Sequence, residues 1–281
     1  MLLTLLIIIV AAVIYNYDIS KDISVTSYNI QTDILESIRI VHLSDLHDTE
    51  FGEGNSLLID MVADQNPDLI VMTGDMINRD DENLDIIEKL ISDLSKVAPV
   101  YYGYGNHETA WEEKFGMELH NVLSSAGAIV LNNEYTDVEI NGQALRIGGY
   151  MGYYRQPGML TKDESQKKLE LAFADDFENT DRYKILLNHI PTAWLDWDYI
   201  NKYPVDVVFS GHYHGGVIRI PIIDRGVYAP YVGLFPPYTK GVFAGSTATC
   251  VLSAGLGSEH AIPRLNNPPQ IVVVDLIPEN Q

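Results

Sequence analysis

One arrangement recurs three times in the first half of the chain and constrains the fold more than any other feature. A short apolar run is followed by a polar tip and then by a stretch with the apolar spacing of a helix. The runs and the stretches that follow them are 38–43 with 55–64, 68–72 with 83–96, and 100–104 with 112–126. Short apolar runs bounded by turn residues predict buried strands. Strands that alternate with helices predict a parallel α/β sheet, in which ligands bind outside the carboxyl ends of the strands.

The rest of the chain predicts further strands and one more helix. Alternating residues at 23–30 indicate an edge strand, and helical spacing marks 162–173. Three short strands over 129–149 predict a meander, with Asn141-Gly142 as the turn between the last two. The remaining predicted strands lie at 183–191, 205–209, 217–220, 247–252 and 271–277.

Two histidines follow the apolar run at 205–209. That run ends on Ser210-Gly211 and presents His212 and His214. Residues two apart in an extended segment point to the same side, so both imidazoles leave the strand end together. A histidine pair in this position predicts one edge of a metal site, and two histidines in a polar loop is the alternative. Partners elsewhere in the chain decide between these possibilities.

The other predicted strand ends supply such partners. The residues collected at strand ends are Asp45, His47, Asp75, Asn106, His107, His189, His212 and His214. Carboxylate oxygens mixed with imidazoles suit Mn, Fe or Zn better than Ca or Mg. The set is too large for one ion and fits two, with one carboxylate bridging ions about 3.5–4 Å apart.

The same residues form motifs that resemble a known family. Asp45-x-His47, Gly74-Asp75, Gly105-Asn-His-Glu108, His189 and Gly211-His-x-His214 are similar, in this order, to the five motifs of the calcineurin-like metallophosphoesterases. The tail, with Gly255-Leu-Gly-Ser258 and Pro268-Pro269, resembles the membrane-anchored bacterial branch of that family. The resemblance implies a four-layer αββα fold, in which two mixed sheets pack face to face beneath helices.

The resemblance also implies a role for each residue. Asp75 is expected to bridge two divalent metal ions, and a hydroxide held between the ions is expected to attack phosphorus. His107 is expected to protonate the leaving oxygen, and a structural role for it is the alternative. The first ion would be held by Asp45, His47 and His214, and the second by Asn106, His189 and His212.

Position 78 departs from the family pattern. Many relatives carry an aspartate where this chain has Asn78. An asparagine can form a hydrogen bond with the imidazole of His107 but cannot raise its pKa as a carboxylate would. Glu108, Asp80 or Asp81 is a candidate to substitute for the missing carboxylate.

Two arginines are candidates for contact with a substrate phosphate. They are Arg79, beside the aspartate motif, and Arg264 in the tail. The planar guanidinium suits phosphate because it donates two parallel hydrogen bonds. A surface salt bridge is an equally good interpretation of each arginine.

The N-terminal segment is strongly apolar from Leu2 to Ile14 and is followed by Tyr15 and Tyr17. We therefore predict a membrane anchor or signal-like segment at 1–17 and a catalytic domain at 18–281, although the run is shorter than the roughly 20 residues of a usual spanning helix. A buried core helix is the alternative. Lys21 is the only basic residue just after the run, which favours a single-pass anchor with the domain outside the cytoplasm.

Composition excludes several classes of protein. The net charge of −21 argues against nucleic acid as a partner, because such proteins bind phosphates through a basic face. A single cysteine, Cys250, excludes an intramolecular disulfide and a thiolate metal cluster.

Together these observations predict a binuclear metal-dependent phosphoesterase. Its substrate is expected to be a small-molecule or lipid-linked phosphodiester, pyrophosphate or phosphomonoester near the envelope. The alternative is a non-catalytic metal-binding scaffold on the same fold, which would be expected to lack ligands or a histidine at the position of His107. The sequence leaves open the substrate, the oligomeric state and the choice among Mn, Fe and Zn.

Overall fold

Two six-stranded β-sheets pack face to face, with helices on their outer faces, in the computed structural model of the protein. It describes residues 22–258 and 264–279. The strands are Ser24–Thr32 (β1), Ile38–Leu43 (β2), Leu69–Met72 (β3), Val100–Gly103 (β4), Ala128–Leu131 (β5), Glu134–Ile140 (β6), Gln143–Gly149 (β7), Tyr183–Leu187 (β8), Val207–Ser210 (β9), Arg219–Ile220 (β10), Arg225–Gly226 (β11), Tyr228–Ala229 (β12), Gly233–Leu234 (β13), Gly241–Ala244 (β14), Thr249–Leu252 (β15) and Gln270–Pro278 (β16). The α-helices are Ser56–Ala63 (α1), Asp85–Leu94 (α2), Asn106–Phe115 (α3), Leu119–Ala126 (α4), Glu164–Glu178 (α5) and Thr192–Leu195 (α6).

The first sheet has the strand order β1-β16-β2-β3-β4-β5. Strands β2 to β5 run parallel, as the repeated pattern of run, tip and helix predicts. Strand β16 is antiparallel to β2, and β1 is parallel to β16. The carboxyl ends of β2 to β4 and the amino ends of β1 and β16 therefore lie at one edge, which we call the catalytic edge.

The second sheet has the order β14-β15-β9-β8-β7-β6. Its four central strands are parallel, and β14 and β6 pair antiparallel at its two sides. Two short hairpins, β10–β11 and β12–β13, stand outside both sheets.

The core between the sheets is built from strand residues that face each other. Ile40 and Val272 of the first sheet and Ile147 and Phe209 of the second belong to one buried cluster. Burying a side chain of this kind stabilises the fold by about 1.5–3 kcal/mol. Two further clusters lie between each sheet and its helices, so the predicted four-layer arrangement is confirmed.

Two predicted elements differ from the structure. The single helix predicted at 112–126 is two helices, because Gly116 adopts a left-handed conformation, with φ of 65°, and ends α3. The predicted meander is wrong, because β5 belongs to the first sheet whereas β6 and β7 belong to the second. The chain crosses between the sheets beside Gly149, which packs closely against the end of β5. A Cβ added at Gly149 would lie 2.0 Å from the carbonyl oxygen of Leu131. The turn at 141–142 joins β6 to β7, as predicted.

Within residues 22–258 and 264–279, no helix combines the length and the apolar character needed to cross a membrane. The segment 1–17, for which the sequence predicts an anchor, lies outside the described residues.

Candidate metal centre

The loops that follow five strands meet at the catalytic edge. Each strand end presents one or two of the residues that the sequence analysis collected. They are Asp45 and His47 after β2, Asp75 after β3, Asn106 and His107 at the start of α3, His189 after β8, and His212 and His214 after β9. Both sheets therefore contribute to one site.

Two groups of possible metal ligands form within this edge. In the first, one ligand atom each from Asp45, His47 and His214 lies within 4.8 Å of the others, and all three residues are buried. The His214 Nε2 is 3.6 Å from Asp45 Oδ1. The imidazoles of His47 and His214 stack with their centroids 5.2 Å apart.

The second group contains Asp75, His189 and His212, again buried and within 4.8 Å of one another. The His189 Nε2 lies 3.0 Å from Asp75 Oδ2 and 3.2 Å from His212 Nδ1. Six of the seven predicted ligands thus come together in two groups of three, with Asp75 on the side of His189 and His212. Its bridging role stays a prediction.

The two groups are immediate neighbours. The His189 Nε2 of the second group is 3.9 Å from Asp45 Oδ1 of the first. The backbone N–H of His212 points at the Asp45 carboxylate, with its nitrogen 3.0 and 3.2 Å from the two oxygens. Asp75, in the second group, accepts a hydrogen bond of 2.8 Å from the backbone N–H of His107.

Unusual backbone conformations aim these side chains at the site. Asp45, His47, Asp75, His212 and His214 all have φ between 47° and 69°. Residues other than glycine rarely adopt this left-handed conformation, and those that do cluster at functional sites. The surrounding contacts must hold these conformations, because each costs on the order of 1–3 kcal/mol.

Two glycines permit the close packing of these loops. A Cβ added at Gly211 would lie 2.3 Å from Asp45 Oδ2, and one at Gly74 would lie 2.1 Å from the backbone nitrogen of Gly105. Any larger residue would therefore displace a candidate ligand or its loop.

Glu108 holds two of the ligand loops together. Its buried carboxylate accepts hydrogen bonds from the backbone N–H groups of Asp75 at 2.8 Å, Met76 at 3.0 Å and Gly105 at 2.8 Å. The hydroxyl of Tyr102 donates a fourth, at 2.7 Å. From the sequence, Glu108 is expected only as a possible partner for His107. The signal for its actual role is its position three residues after Gly105, where a capping-box glutamate bonds to the backbone at a helix start.

The donor atoms of the site fit divalent cations. Both ring nitrogens of His47, the Nε2 of His212 and the Oδ1 of Asn106 are buried, and no residue that the structure describes gives them a hydrogen bond. Buried polar atoms usually have a partner, so these atoms point to a ligand. Burial lowers the pKa of His47 and of His212 to about 3, which keeps both imidazoles in the neutral form that binds metals.

The carboxylate of Asp75 favours a proton on His189 in the absence of metal. Burial acts to lower the pKa of His189, but the charge and hydrogen bond of Asp75, together with the charges of Asp45 and Glu108, raise that pKa to about 9. In turn, although burial acts to raise it, His189 holds the pKa of Asp75 well below its ordinary value. A cation bound here would take the place of this proton, since histidine ligates metal in its neutral form.

His107 lies beside His47 and against Arg79. The His47 and His107 ring centroids are 4.6 Å apart. The backbone N–H of Arg79 is directed at His107 Nδ1, 3.2 Å away, and the Arg79 guanidinium lies 2.9 Å from Nε2. A neutral imidazole has a single acceptor nitrogen, so it accepts from only one of these two groups at a time. Contact of Arg79 with a substrate phosphate stays a prediction.

The side chain of Asn78 bonds to the loop that carries His47, and its expected bond to the imidazole of His107 stays a prediction. The Asn78 Nδ2 donates to the carbonyl oxygen of His47 at 3.0 Å, and its backbone N–H donates to Asp48 Oδ2 at 2.7 Å. Asn78 therefore fixes the loop that carries His47. Asp80, one suggested substitute for a carboxylate here, forms an ion pair with Lys114 at 2.8 Å and also interacts electrostatically with His107.

Arg264 is buried rather than exposed on the surface. Its guanidinium donates to the carbonyl oxygens of Ala254, at 2.8 Å, and Gly257, at 2.9 Å from Nε. The backbone of Gly257 contacts that of Asp45, so Arg264 secures the loop behind a candidate ligand. The alternative of a surface salt bridge is wrong for this residue, and its contact with substrate stays a prediction.

A cleft of about 440 Å³ opens beside the second ligand group. Asn106, Met151, Tyr153 and Leu160 form part of its walls. Tyr231 lines it as well and stacks on the imidazole of His212, with ring centroids 5.1 Å apart and planes 14° apart.

Comparison with known proteins identifies the family. The model of the calcineurin-like phosphoesterases matches residues 38–216, which contain every candidate ligand. The chain belongs to the calcineurin-like phosphoesterase family. It is therefore a metal-dependent hydrolase of phosphoric esters, and the resemblance of the five motifs to this family is confirmed. The resemblance of the tail to the membrane-anchored branch stays a prediction.

Several relatives align over most of the chain. It is 31% identical to the metallophosphoesterase YkoQ of Bacillus subtilis over 72% of either chain. It is 26% identical to the phosphodiesterase YaeI of Escherichia coli, over 85% of this chain and 82% of YaeI. It is 25% identical to the UDP-2,3-diacylglucosamine pyrophosphatase LpxG of Chlamydia muridarum, over 85% of this chain and 84% of LpxG.

The fold is also found in a solved structure. The 5'-nucleotidase precursor from Thermus thermophilus matches 86% of this chain with a TM-score of 0.54 and 15% identity. The chain spans 54% of that longer protein. At this identity the likeness shows the shared fold alone.

Proposed function

We propose that the protein hydrolyses a phosphodiester or pyrophosphate bond in a lipid-linked substrate of the cell envelope, with two divalent cations as cofactors. The observation that carries this proposal is the pair of adjacent ligand groups, Asp45, His47 and His214 beside Asp75, His189 and His212. Manganese, iron and zinc all suit these donors. Asn106, whose amide oxygen is buried without a hydrogen bond from any described residue, would complete the second group.

Residues of this chain would divide the work among them. Two bound cations would supply an activated water at neutral pH and neutralise charge on the phosphoryl oxygens. His107 would hold the proton for the leaving oxygen, because it lies at the site without belonging to either ligand group. The Arg79 guanidinium, now directed at His107 Nε2, would bind a phosphate oxygen and leave that nitrogen for the leaving group.

The cleft beside the second group favours an uncharged, apolar substituent on the phosphate. Met151, Tyr153 and Leu160 offer apolar surface, and among its described lining residues there is no lysine or arginine. Glu113 and Glu170 also line it. A second anionic group would be repelled there, whereas an acyl chain or another neutral group would be accepted.

Two relatives agree with this substrate class. YaeI bears the name of a phosphodiesterase, and LpxG that of a pyrophosphatase for a diacylated sugar nucleotide. The apolar run at 2–14 adds a reason to place the substrate in a membrane. We extend the proposal to an N-terminal anchor at 1–17 with the catalytic domain outside the cytoplasm.

A panel of substrates tests the proposal. Full-length protein loaded with Mn²⁺ would be assayed on a diester, bis(p-nitrophenyl) phosphate, on the monoester p-nitrophenyl phosphate, and on a pyrophosphate-linked acyl lipid. We expect hydrolysis of the diester or the pyrophosphate lipid to exceed that of the monoester. His107→Ala should lower kcat by roughly 10²–10⁴ with metal retained, and Asp75→Asn should lose both metal and activity. Metal binding without hydrolysis of any substrate would favour the non-catalytic scaffold instead.

A further inference from the structure

Two short hairpins project beside the metal centre. The first joins β10 to β11 through residues 221–224, and the second joins β12 to β13 through residues 230–232. We call residues 219–235 the hairpin surface. The Arg225 guanidinium links the two hairpins, since it donates to the carbonyl oxygen of Phe235 at 3.0 Å.

The hairpin surface is anchored directly to the ligand loop. The backbone N–H of Val227 donates to the carbonyl oxygen of Gly216 at 3.1 Å, and the Arg219 guanidinium donates to that of Gly215 at 2.6 Å. One face of the Tyr231 ring covers His212. The position of the hairpins is therefore fixed relative to the catalytic edge.

Large apolar side chains stand in water at the tips of both hairpins. Ile222 is fully exposed, and Ile223, Tyr231 and Leu234 are 63%, 73% and 71% exposed. Ile222 also has φ of 76°, a conformation that β-branched residues rarely adopt. Such a group of apolar side chains is costly to expose and marks an interaction surface.

The charge of this region is opposite to that of the whole protein. Residues 217–244 contain three basic residues, Arg219, Arg225 and Lys240, against one acidic residue, Asp224, which leaves a net charge of +2. The full chain carries −21. Apolar tips flanked by aromatic and basic residues are the composition of a surface that lies in an anionic membrane interface.

The described part of the chain begins at the same edge. Strand β1 starts at the catalytic edge, so the first described residue of the chain, Asp22, lies close to it. The backbone N–H of Ser24 donates to the carbonyl oxygen of Pro269. The backbone N–H of Arg219, in the first hairpin, donates to the carbonyl oxygen of Leu265, four residues before Pro269. The start of the described chain and the hairpin surface thus flank one short segment.

We propose that the hairpin surface docks on a lipid bilayer, with Ile222, Ile223, Leu234 and Phe235 buried among the headgroups and upper acyl chains. This inference rests on the proposed function, since it explains how a lipid-linked phosphate reaches the site. The catalytic edge then faces the membrane, and the cleft lined by Tyr231 opens beside it. The occupant is a bilayer because the apolar residues project from convex hairpin tips rather than line a groove.

Depth-dependent quenching tests the proposal in the full chain. The variants Ile223→Cys and Leu35→Cys would each carry an environment-sensitive NBD label. Each labelled protein would be mixed with vesicles of phosphatidylcholine and phosphatidylglycerol, with or without doxyl-labelled lipid. Leu35 is the matched control, because it is 76% exposed and follows the end of β1 away from the catalytic edge. The single natural cysteine, Cys250, is fully buried, and its pKa is raised to about 12 by that burial, so it will not compete for the label.

We expect doxyl lipid to quench the label at position 223 by roughly twofold or more and to leave the label at position 35 nearly unchanged. Because both variants keep the N-terminal segment, the difference between them reports the orientation of the domain. Equal quenching at the two positions, or none at position 223, would overturn the proposal. A label at 223 that is shielded only when another protein is added would instead indicate a protein partner and would also overturn it.

A second variant separates this proposal from the proposed function. Ile222→Ser with Ile223→Ser should leave hydrolysis of soluble bis(p-nitrophenyl) phosphate unchanged and lower hydrolysis of the lipid substrate in vesicles by roughly tenfold. Failure of the wild type to hydrolyse any phosphate ester would overturn the function but not a positive quenching result. Equal hydrolysis of vesicle-borne lipid by wild type and variant would overturn the docking surface alone.

Discussion

The Glu108 carboxylate accepts a hydrogen bond of 2.8 Å from the backbone N–H of Asp75 and so fixes the loop of a central candidate ligand. The same oxygen accepts from the backbone N–H of Gly105, just before Asn106 and His107. One buried side chain therefore sets the separation of two loops that come from neighbouring strands. The positions of the candidate metal ligands depend on Glu108, which itself belongs to neither ligand group.

Replacing Glu108 with glutamine should weaken both the fold and the metal centre. The amide would keep one acceptor oxygen, but its NH₂ group would face backbone N–H donors that the carboxylate now satisfies. We expect a loss of about 3 kcal/mol in the free energy of unfolding and a metal affinity lowered by roughly tenfold or more. Urea denaturation and a metal-binding isotherm measure the two effects. Glu88→Gln, on the exposed face of α2, is the control, and equal behaviour of the two variants would contradict the role given to Glu108.

Asn78→Asp should damage the first ligand group. The Asn78 amide donates to the carbonyl oxygen of His47. A carboxylate at position 78 could only accept, so it would face that carbonyl oxygen without a hydrogen bond. It would also place a second negative charge beside Asp48. We expect metal affinity to fall by roughly tenfold, with a smaller loss for Asn78→Ala, which removes the donor without adding charge. Calorimetric titration with Mn²⁺ compares the three proteins. Binding by the aspartate variant as tight as in the wild type would show that this contact does not position His47.

Gly211→Ala should displace Asp45 while leaving most of the fold intact. The added Cβ would lie 2.0 Å from Ser44 Oγ and 2.3 Å from Asp45 Oδ2. We expect metal content to fall at least tenfold, as measured by elemental analysis after dialysis. Gly158→Ala is the matched change, because the nearest atom to its Cβ would be Lys167 Cε at 3.7 Å. Full metal content in the Gly211 variant would mean that the loop adjusts around the new methyl group.

His42 should make the stability of the metal-free protein depend on pH. Burial lowers the pKa of His42 from 6.5 to about 3, so the folded protein keeps it neutral where the unfolded chain protonates it. Its stabilising effect is complete above pH 6.5 and is lost as the pH falls from there toward 3. Between pH 7 and pH 5, the wild type should lose about 2 kcal/mol more than His42→Gln.

Denaturation in the presence of a chelator, at several pH values, measures this difference. Glutamine keeps a donor and an acceptor for the contact with Thr73 Oγ1, which His42 Nε2 now makes at 2.8 Å. Equal pH dependence of the two proteins would contradict the assignment of the effect to His42.

The parallel strands that lead to the site and the candidate ligands at their ends could be predicted because both depend on local signals. Buried parallel strands need apolar side chains on both faces. Strand β3 is accordingly an uninterrupted apolar run, β9 is apolar up to Ser210, and β2 is mainly apolar. Polar residues at their ends meet because parallel strands share an edge. The calcineurin-like motifs then assigned these residues to two metals, and the structure places them in two adjacent groups.

Other features depend on contacts between distant parts of the chain. At the crossing from β5 to β6, Gly149 packs closely on Leu131. Alternation of residues along a strand cannot show which sheet that strand joins. The bonds of Glu108 and Asn78 to backbone atoms of other loops have no sequence period. The tips around Ile222 and Leu234 are apolar in sequence, and only the structure shows that they are exposed.

Titration of metal-free, full-length protein with Mn²⁺, followed by hydrolysis of bis(p-nitrophenyl) phosphate and of the pyrophosphate-linked lipid, tests the central claim most directly. We predict two ions per chain, with hydrolysis that appears only as the second equivalent binds, because both ligand groups must be filled. Full hydrolysis after a single equivalent, or two bound ions without hydrolysis of either substrate, would contradict a two-metal phosphoesterase.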